Sequence, residues 1–356
     1  MSKRILFIAP SNSTHSLKWI NYTFNNRNFN LVWVSFYQKG DNIDIPKEIN
    51  YYELKSYNPF VDLIRLKSII VKHSIDLVHL HYIGKKSYLL LFLAIKKLII
   101  SPWGSDINFL SGNLFKKYIV KKLLDKATLI TVDASFIADI VKSLITKNIK
   151  IERINFGTDT DFFKPVLSKS DDNDFKIISL RNLEKIYSID TIIEAVFKLE
   201  NKNNLIVDLY GYGSEKNNLE RLVQKYNLEQ IIKFKGKYDY SDLPLILNSY
   251  NLYISSSSSD AGLAASTSEA MACGVLCISA DNSENRFWMD NECGILFKTY
   301  SSDDLMQKIK NVMLLKDSNI QKIKTNARNK ILNYNSYQNE MEKMNFFYNK
   351  LLIYEN

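Results

Sequence analysis

The stretch ASTSEAMACG, residues 265–274, holds one acid, Glu269, among small and hydroxylated residues. Ser266, three residues before it, gives the S-x-x-E spacing of a capping box, in which each side chain satisfies a backbone N–H at a helix start. Gly274 suits the C-terminal cap of that helix, and VLCISA after it reads as a buried strand. Upstream, LYISSSSSDAGLAA is a strand running into a loop of small residues, which leaves the helix N-terminus open, and open N-termini bind anions. Glu269 is placed either to close a helix or to hold a ligand.

Other chemistry-bearing residues recur where apolar runs stop. Asn12 to His15 follow ILFIAP, His81 lies at the end of DLVHLHY, and WGSDI (103–107), with Trp103 and Asp106, follows LIISP. Arg181 ends FKIISLR, and Gly211 and Gly213 close NLIVDLYGYG as a G-x-G turn, where backbone must pass close to a ligand or a helix. The third glycine of a dinucleotide fingerprint is missing, with Asn217 and Asn218 in that region, which disfavours a nicotinamide cofactor. His79 and His81 alternate on a strand and share a face, as a metal pair does, but no third ligand of suitable type accompanies them. Asp106 is placed either to accept hydrogen bonds from a ligand hydroxyl or to cap a helix at SDINFL.

The elements that position these residues follow from the apolar pattern. With 356 residues and 46% hydrophobic content, the chain is long enough for two cored domains. ILFIAP, NLVWVSF, DLVHLHY, LIISPW and ATLITVD in the first half, and FKIISLR, NLIVDLYG, IIKFKGK, LYISSS and VLCISA in the second, read as buried strands alternating with helices. That alternation predicts an α/β protein of two doubly wound Rossmann-like domains. The junction is expected in INFGTDTDFFKPVLSKSDDND (154–174), where Pro165 blocks a continuing helix, giving domains 1–163 and 164–335 and a C-terminal helical segment 336–356 that crosses back onto the first domain. Ligands of open parallel sheets sit beyond the carboxyl ends of the strands, so one site is expected in a cleft across which the two domains face.

SYLLLFLAIKKLIISPWG is broken by Lys96 and Lys97, so a buried helix followed by a strand fits better than a membrane span. MSKRILFIAP has too short an apolar run for a secretory signal, and a cytosolic protein is expected. Cys273, Cys277 and Cys293 have no pairing framework and read as buried thiols. The net charge of +9 favours an anionic partner, whether nucleic acid, phosphate ligand or acidic membrane, without choosing among them.

In this order the motifs resemble those of the glycosyltransferases of family 4, over essentially the whole chain. SNSTHSLKWIN, VHLHY and SPWGSDI look like loops and strand ends of the acceptor domain, and INFGTDTDFFKP is similar to the interdomain N-G-x-D-x-x-x-F-x-P, with Phe156 in place of asparagine. SLRNLE…SIDTIIEA, LYGYGSEKNNLERL, IKFKGKYDYSDLPLILNSYNLYISSS, SEAMACG and GILF follow the nucleotide-binding half. The resemblance implies the GT-B fold and retaining transfer of a sugar from a nucleotide-sugar to a glycan or lipid-linked glycan, with no metal and no cofactor. It selects a nucleotide-sugar over nucleic acid as the anionic partner. It further implies that Ala265, Ser266 and Thr267 lie by the donor diphosphate, Glu269 by the ribose, Arg181 by the leaving phosphate, Gly211 and Gly213 by the donor, and Lys237 of FKGKY by the base. On the acceptor side it implies His15, His81, Trp103 and Asp106, with His81 near the reacting sugar.

Two departures stand out. The family's lysine five or six residues after the arginine is replaced by Ile186 and Tyr187. Lys185 comes early, turned by about 100° or more at helical spacing, so either Lys185 or Tyr187 is left for the diphosphate. The first acid of the family's E-x7-E is also missing. The position eight before Glu269 is Ala261, and Asp260, one place off, is the candidate to replace that acid at the donor sugar's hydroxyls. LFKKYIVKKLLDK (114–126) sets Lys116, Lys117, Lys121, Lys122 and Lys126 among apolar residues, either as a solvated face or as a surface for anionic lipid. By family habit the enzyme serves surface polysaccharide, lipopolysaccharide or capsule synthesis from the cytoplasm, at the inner face of the cytoplasmic membrane. The altered donor contacts keep a non-catalytic partner subunit open, and a nucleotide-sugar epimerase of the same fold is the nearer enzyme alternative.

Overall fold

A computed structural model describes residues 3–26, 28–41, 43–108, 114–166, 174–260, 262–282, 284–290 and 292–354. The chain divides into two compact units, Met1–Gly157 with Gln338–Asn356, and Thr158–Tyr337. Phe163 is fully buried in the second unit's core with Leu243, Leu247 and Ile331, which draws the segment from Thr158 onward into that unit. Residues 167–173 of the expected junction lie outside the described residues.

The first unit carries a seven-stranded sheet. Its strands are β1 (Lys3–Ile8), β2 (Phe29–Ser35), β3 (Asn50–Glu53), β4 (Leu77–His81), β5 (Leu98–Ser101), β6 (Leu129–Val132) and β7 (Lys150–Arg153), in the order β3-β2-β1-β4-β5-β6-β7. Every pairing is parallel. Leu66, Ile69, Leu89, Leu90, Leu123, Ile137 and Val141 from successive crossovers pack with Leu6, Ile8, Val78 and Leu80 on one face. Against the expectation of a helix in SYLLLFLAI, Lys85–Phe92 forms a kinked 3-10 stretch, which ends where Leu93 turns extended.

The second unit carries a six-stranded sheet: β8 (Phe175–Ser179), β9 (Leu205–Tyr210), β10 (Ile232–Gly236), β11 (Leu252–Ser255), β12 (Leu276–Ala280) and β13 (Ile295–Phe297). The order is β10-β9-β8-β11-β12-β13, again parallel throughout. Side chains alternate along each strand. Ile177 and Ile278 therefore join one core cluster with Ile192, Val196, Leu305 and Ile309, while Ile178 and Cys277 join another with Ala270, Met271, Trp288 and Ile331. A parallel sheet covered on both faces is the doubly wound arrangement.

Three strands escape the sequence reading: β3, β7 and β13. All are sheet edges, and β3 and β7 are half-buried at best, so neither shows the continuous apolar run of a central strand. In both sheets the strand order reverses beside the first strand, between β1 and β4 and between β8 and β11. Loops diverge there and leave a crevice at the carboxyl ends.

From Gln338 onward helix Tyr337–Asn349 belongs to the first unit, where Tyr348 is fully buried against Phe7 and Phe29. The Tyr348 hydroxyl meets His79 Nδ1 at 2.6 Å, and His79 Nε2 meets Ser101 Oγ at 2.7 Å. With both ring nitrogens so engaged, His79 is a structural residue. Tyr348→Phe strands one of those nitrogens and is expected to cost about 1–3 kcal/mol in urea unfolding. Phe346→Ala, at an exposed position on the same helix, should stay within about 0.5 kcal/mol, and equal effects of the two changes would contradict the assignment.

Candidate active site

In the first unit the expected residues collect at the carboxyl ends of β1, β4 and β5. His15 starts helix Thr14–Asn25, whose N-cap Ser13 accepts from the His15 N–H at 3.3 Å. Its ring lies 4.5 Å from Phe156 and 5.9 Å from Trp103, centroid to centroid. Trp19, one helical turn beyond His15, meets His81 edge-on at 4.7 Å. His81 is 1% exposed, and neither ring nitrogen has a hydrogen-bond partner; Trp19 Nε1 and Trp103 Nε1 are likewise buried and unpaired. This is a buried aromatic cluster that holds unpaired polar atoms. Trp19 and Phe156 are its additions to the sequence reading, and the His15-to-Trp19 spacing was the available signal.

Asp106 is placed differently. Its Oδ2 accepts from Ile83 N–H at 2.7 Å and its Oδ1 from Trp103 N–H at 3.0 Å, with its own and Gly104's N–H groups adding to the set. The carboxylate clamps the loops after β4 and β5 instead of standing open to a ligand hydroxyl. Burial pushes it up to about 6, against those hydrogen bonds.

Burial lowers the histidines. His15 falls to about 4, with Lys18 contributing, His81 to about 3, and His79 well below 6.5. All three are neutral near pH 7. The His79 and His81 rings are 4.0 Å apart, yet among the described residues no group of three or more His, Cys, Asp or Glu is placed to hold a metal ion.

The second unit gathers charge. Arg181 follows β8 and bonds Asp260, which follows β11, from Nη2 to Oδ1 at 2.5 Å. The Tyr187 ring covers the guanidinium at 4.4 Å, so Tyr187 presents its face to Arg181. Lys185 begins the turn Lys185–Tyr187 and is exposed. Ala261, the position of the family's first acid, lies outside the described residues.

Gly211 has φ of +113°, and a Cβ there would meet Arg181 O at 3.0 Å. A Cβ on Gly213 would meet Leu183 O at 2.2 Å. The G-x-G turn is thus glycine because the loop carrying Arg181 passes against it. Tyr212, between the glycines, lies under exposed Lys237 at 4.7 Å.

Helix Ala265–Ala272 departs from the capping-box expectation. Its N-cap is Ala264, with no side-chain cap, and Ser266 sits inside the first turn with Oγ bonded to the Tyr253 hydroxyl at 2.8 Å. Thr267 is buried beside the same hydroxyl. Ala265 is exposed, and among the described residues no side-chain cap from the N-cap position closes the helix start. Glu269, 7% exposed, is hydrogen-bonded by Tyr240, and burial first and the nearby carboxylate second raise the Tyr238 hydroxyl. Tyr240 was not foreseen; it lies two residues beyond FKGKY (234–238), the segment expected to pack on a base. Gly274, at φ +70°, closes the helix as expected: its N–H bonds Met271 O and the Val275 N–H bonds Ala270 O, both at 3.0 Å.

The three cysteines are free and buried, and burial lifts Cys273 to about 12 and Cys293 to about 11, which leaves them as inert thiols.

Comparison with known proteins adds the class. Residues 161–330 match the family described as glycosyl transferases group 1, and residues 4–134 that described as glycosyl transferase 4-like. An uncharacterized glycosyltransferase of Methanocaldococcus jannaschii is 28% identical over 221 residues, 61% of this chain and 54% of the relative. The N-acetyl-α-D-glucosaminyl L-malate synthase of Bacillus anthracis is 23% identical over 246 residues, 65% of this chain and 63% of the relative. The chain therefore spans between half and two-thirds of the length of these curated relatives. The Anabaena protein HepE, solved in complex with UDP, shares the fold with a TM-score of 0.80 at 16% identity, over 98% of this chain and 100% of that one. Fold and matches together support a glycosyltransferase with the GT-B fold. Residues 161–330 are similar to the group 1 enzymes and residues 4–134 to the 4-like ones.

The buried histidines yield a pH prediction. Unfolded, each binds a proton near 6.5, and folded, His15 and His81 do so only near 4 and 3. The unfolded chain binds more protons in between, so stability falls as pH drops below about 6.5, by up to about 1.4 kcal/mol per pH unit for each such group. Asp106, raised from 3.8 to about 6, acts oppositely but is one group against three. Tryptophan fluorescence follows mainly the first unit, which holds Trp19, Trp33 and Trp103. His81→Phe should flatten the acid loss by about one group, and an unchanged slope would contradict the burial of a neutral His81.

Proposed function

We propose that the protein is a metal-independent, retaining glycosyltransferase that moves a sugar from a nucleotide-sugar to a glycan or lipid-linked glycan in cell-envelope polysaccharide synthesis. The observation that carries this reading is the second unit's assembly at one sheet edge: Arg181, the Gly211–Gly213 turn, the uncapped start of helix Ala265–Ala272 and buried Glu269. An uncapped helix start offers N–H donors to phosphate, and a buried carboxylate suits ribose hydroxyls. Solved structures of Anabaena HepE with UDP and with UDP-glucose lend support, since they share this fold.

In this reading Ala265, Ser266 and Thr267 meet the diphosphate, Glu269 the ribose, and Lys237 the base edge beside Tyr212. Arg181 offsets charge gathering on the leaving phosphate. The acceptor hydroxyl attacks the anomeric carbon from the face the phosphate leaves. As the new C–O bond forms, the donor C–O bond passes its electron pair to the phosphate oxygen, which takes the acceptor proton. On the first unit His15, neutral His81 and Trp103 form the acceptor side, and Asp106 acts by holding the loops of Ile83 and Trp103 in place.

Helix Leu114–Leu124 exposes Leu114, Phe115 and Tyr118 beside Lys116, Lys117 and Lys122, which suits contact with anionic lipid at the inner face of the cytoplasmic membrane. Among the described residues no helix is long and apolar enough to cross a membrane. A second reading, a non-catalytic partner subunit, is favoured by one observation: Arg181 already has a carboxylate partner.

Thermal shift against UDP, GDP, CMP and their sugar conjugates tests the donor site. One nucleotide should stabilise the wild type, by about 2.7 kcal/mol at a hundredfold excess over Kd, equally with and without EDTA. Glu269→Ala and Arg181→Ala should lose most of that shift. No shift with any nucleotide would sink the donor assignment, and a burst of covalent glycosyl-enzyme in rapid quench would contradict same-face attack.

A further inference from the structure

Arg181 stands at the switch point of the second sheet, between the loops that leave β8 and β11. One face of its guanidinium rests on the Tyr187 ring, and one edge is bonded to Asp260. The Arg181 and Asp260 side chains are only 11% and 8% exposed, yet Arg181 Nε and Asp260 Oδ2 are buried with no partner. A guanidinium carries five N–H donors in a fixed fork, so a single carboxylate oxygen leaves it short of acceptors. A buried unpaired donor is costly unless something is meant to fill it.

The serine run explains how the arrangement is held. Ser256 Oγ donates to Tyr187 O at 2.8 Å, and Ser258 donates to Ile186 O from its N–H at 2.8 Å and from its Oγ at 2.9 Å. These bonds stitch the loop after β11 to the turn Lys185–Tyr187. The same short run thus sets the turn that carries Tyr187 and leads directly into Asp260.

We propose that Tyr187 and Asp260 are positioning residues for Arg181 at the donor-phosphate site: the ring fixes the guanidinium plane, and the carboxylate occupies one edge and offsets part of its charge. The N–H donors of the fork that Asp260 does not take are then the ones a phosphate meets. The proposal rests on the reading of Arg181 as a donor-phosphate contact. It gives the two neighbours effects of opposite sign. Removing the ring frees the guanidinium to wander and weakens phosphate binding. Removing only the carboxylate charge, with an oxygen acceptor kept, leaves a fuller positive charge for the phosphate and strengthens it.

Isothermal titration of the full chain with UDP, GDP and CMP tests this without an acceptor. For the nucleotide that binds, Tyr187→Phe should stay within about twofold of wild type and Tyr187→Ala should weaken binding about tenfold. Asp260→Asn should tighten it roughly threefold at low salt, with the gain shrinking as ionic strength rises. A purely structural role makes Asp260→Asn and Tyr187→Ala weaken binding together, and that result, or no change in either, overturns the proposal. If Asp260→Asn does not fold, the Tyr187→Phe and Tyr187→Ala pair still decides: equal binding by the two removes the ring from the account. Wild-type protein that binds none of the three nucleotides refutes the donor reading itself.

Discussion

A parallel sheet forces each connection to cross back over the sheet before the next strand begins, so every strand ends at the same edge. All other features of the candidate sites hang on that constraint. In the first unit it brings His15, His81 and Trp103 together from positions far apart in sequence, at the ends of β1, β4 and β5. In the second it brings Arg181 and Asp260, 79 residues apart, into one ion pair. In each sheet the order reverses at the strands whose loops carry these residues, and that reversal is what keeps the loops apart.

The two units handle polarity in opposite ways. The first buries neutral imidazoles among Phe7, Trp19, Trp103 and Phe156 and leaves several of their polar atoms unused. Such an environment penalises charge. The second concentrates a guanidinium, an uncapped helix start and a buried carboxylate, which suits an anion with adjoining hydroxyls. The proposed division of labour, donor on one unit and acceptor on the other, follows from these environments.

Much of this was legible in the sequence because central parallel strands are buried on both faces and show as uninterrupted apolar runs. The edge strands β3 and β7, half-exposed and mixed in composition, carry no such mark. The residues of the candidate sites were also legible, since they stand out where apolar runs end. Their partners were not. Ser266 spells a capping box with Glu269, but Tyr253 takes its hydroxyl and the N-cap falls two residues earlier, at Ala264. Glu269 answers to Tyr240, and Asp106 to backbone N–H groups from two loops. Tyr187, set beside a missing lysine, turns out to lie face-on to Arg181. These are tertiary contacts between loops, and local spacing carries no record of them. The serines of LYISSSSSDAGLAA read only as part of a loop of small residues, yet their hydroxyls and one N–H hold the turn that supports Arg181.

Hydrogen exchange of the full chain, with and without the stabilising nucleotide, tests the central claim most directly. The account predicts slowed exchange in peptides covering residues 181–188, 211–214 and 264–269, because backbone N–H groups there either bond the phosphates or belong to loops that the ligand ties down. Protection that spares these three segments, or that appears only in the first unit, would contradict a donor site built on Arg181, the glycine turn and Glu269.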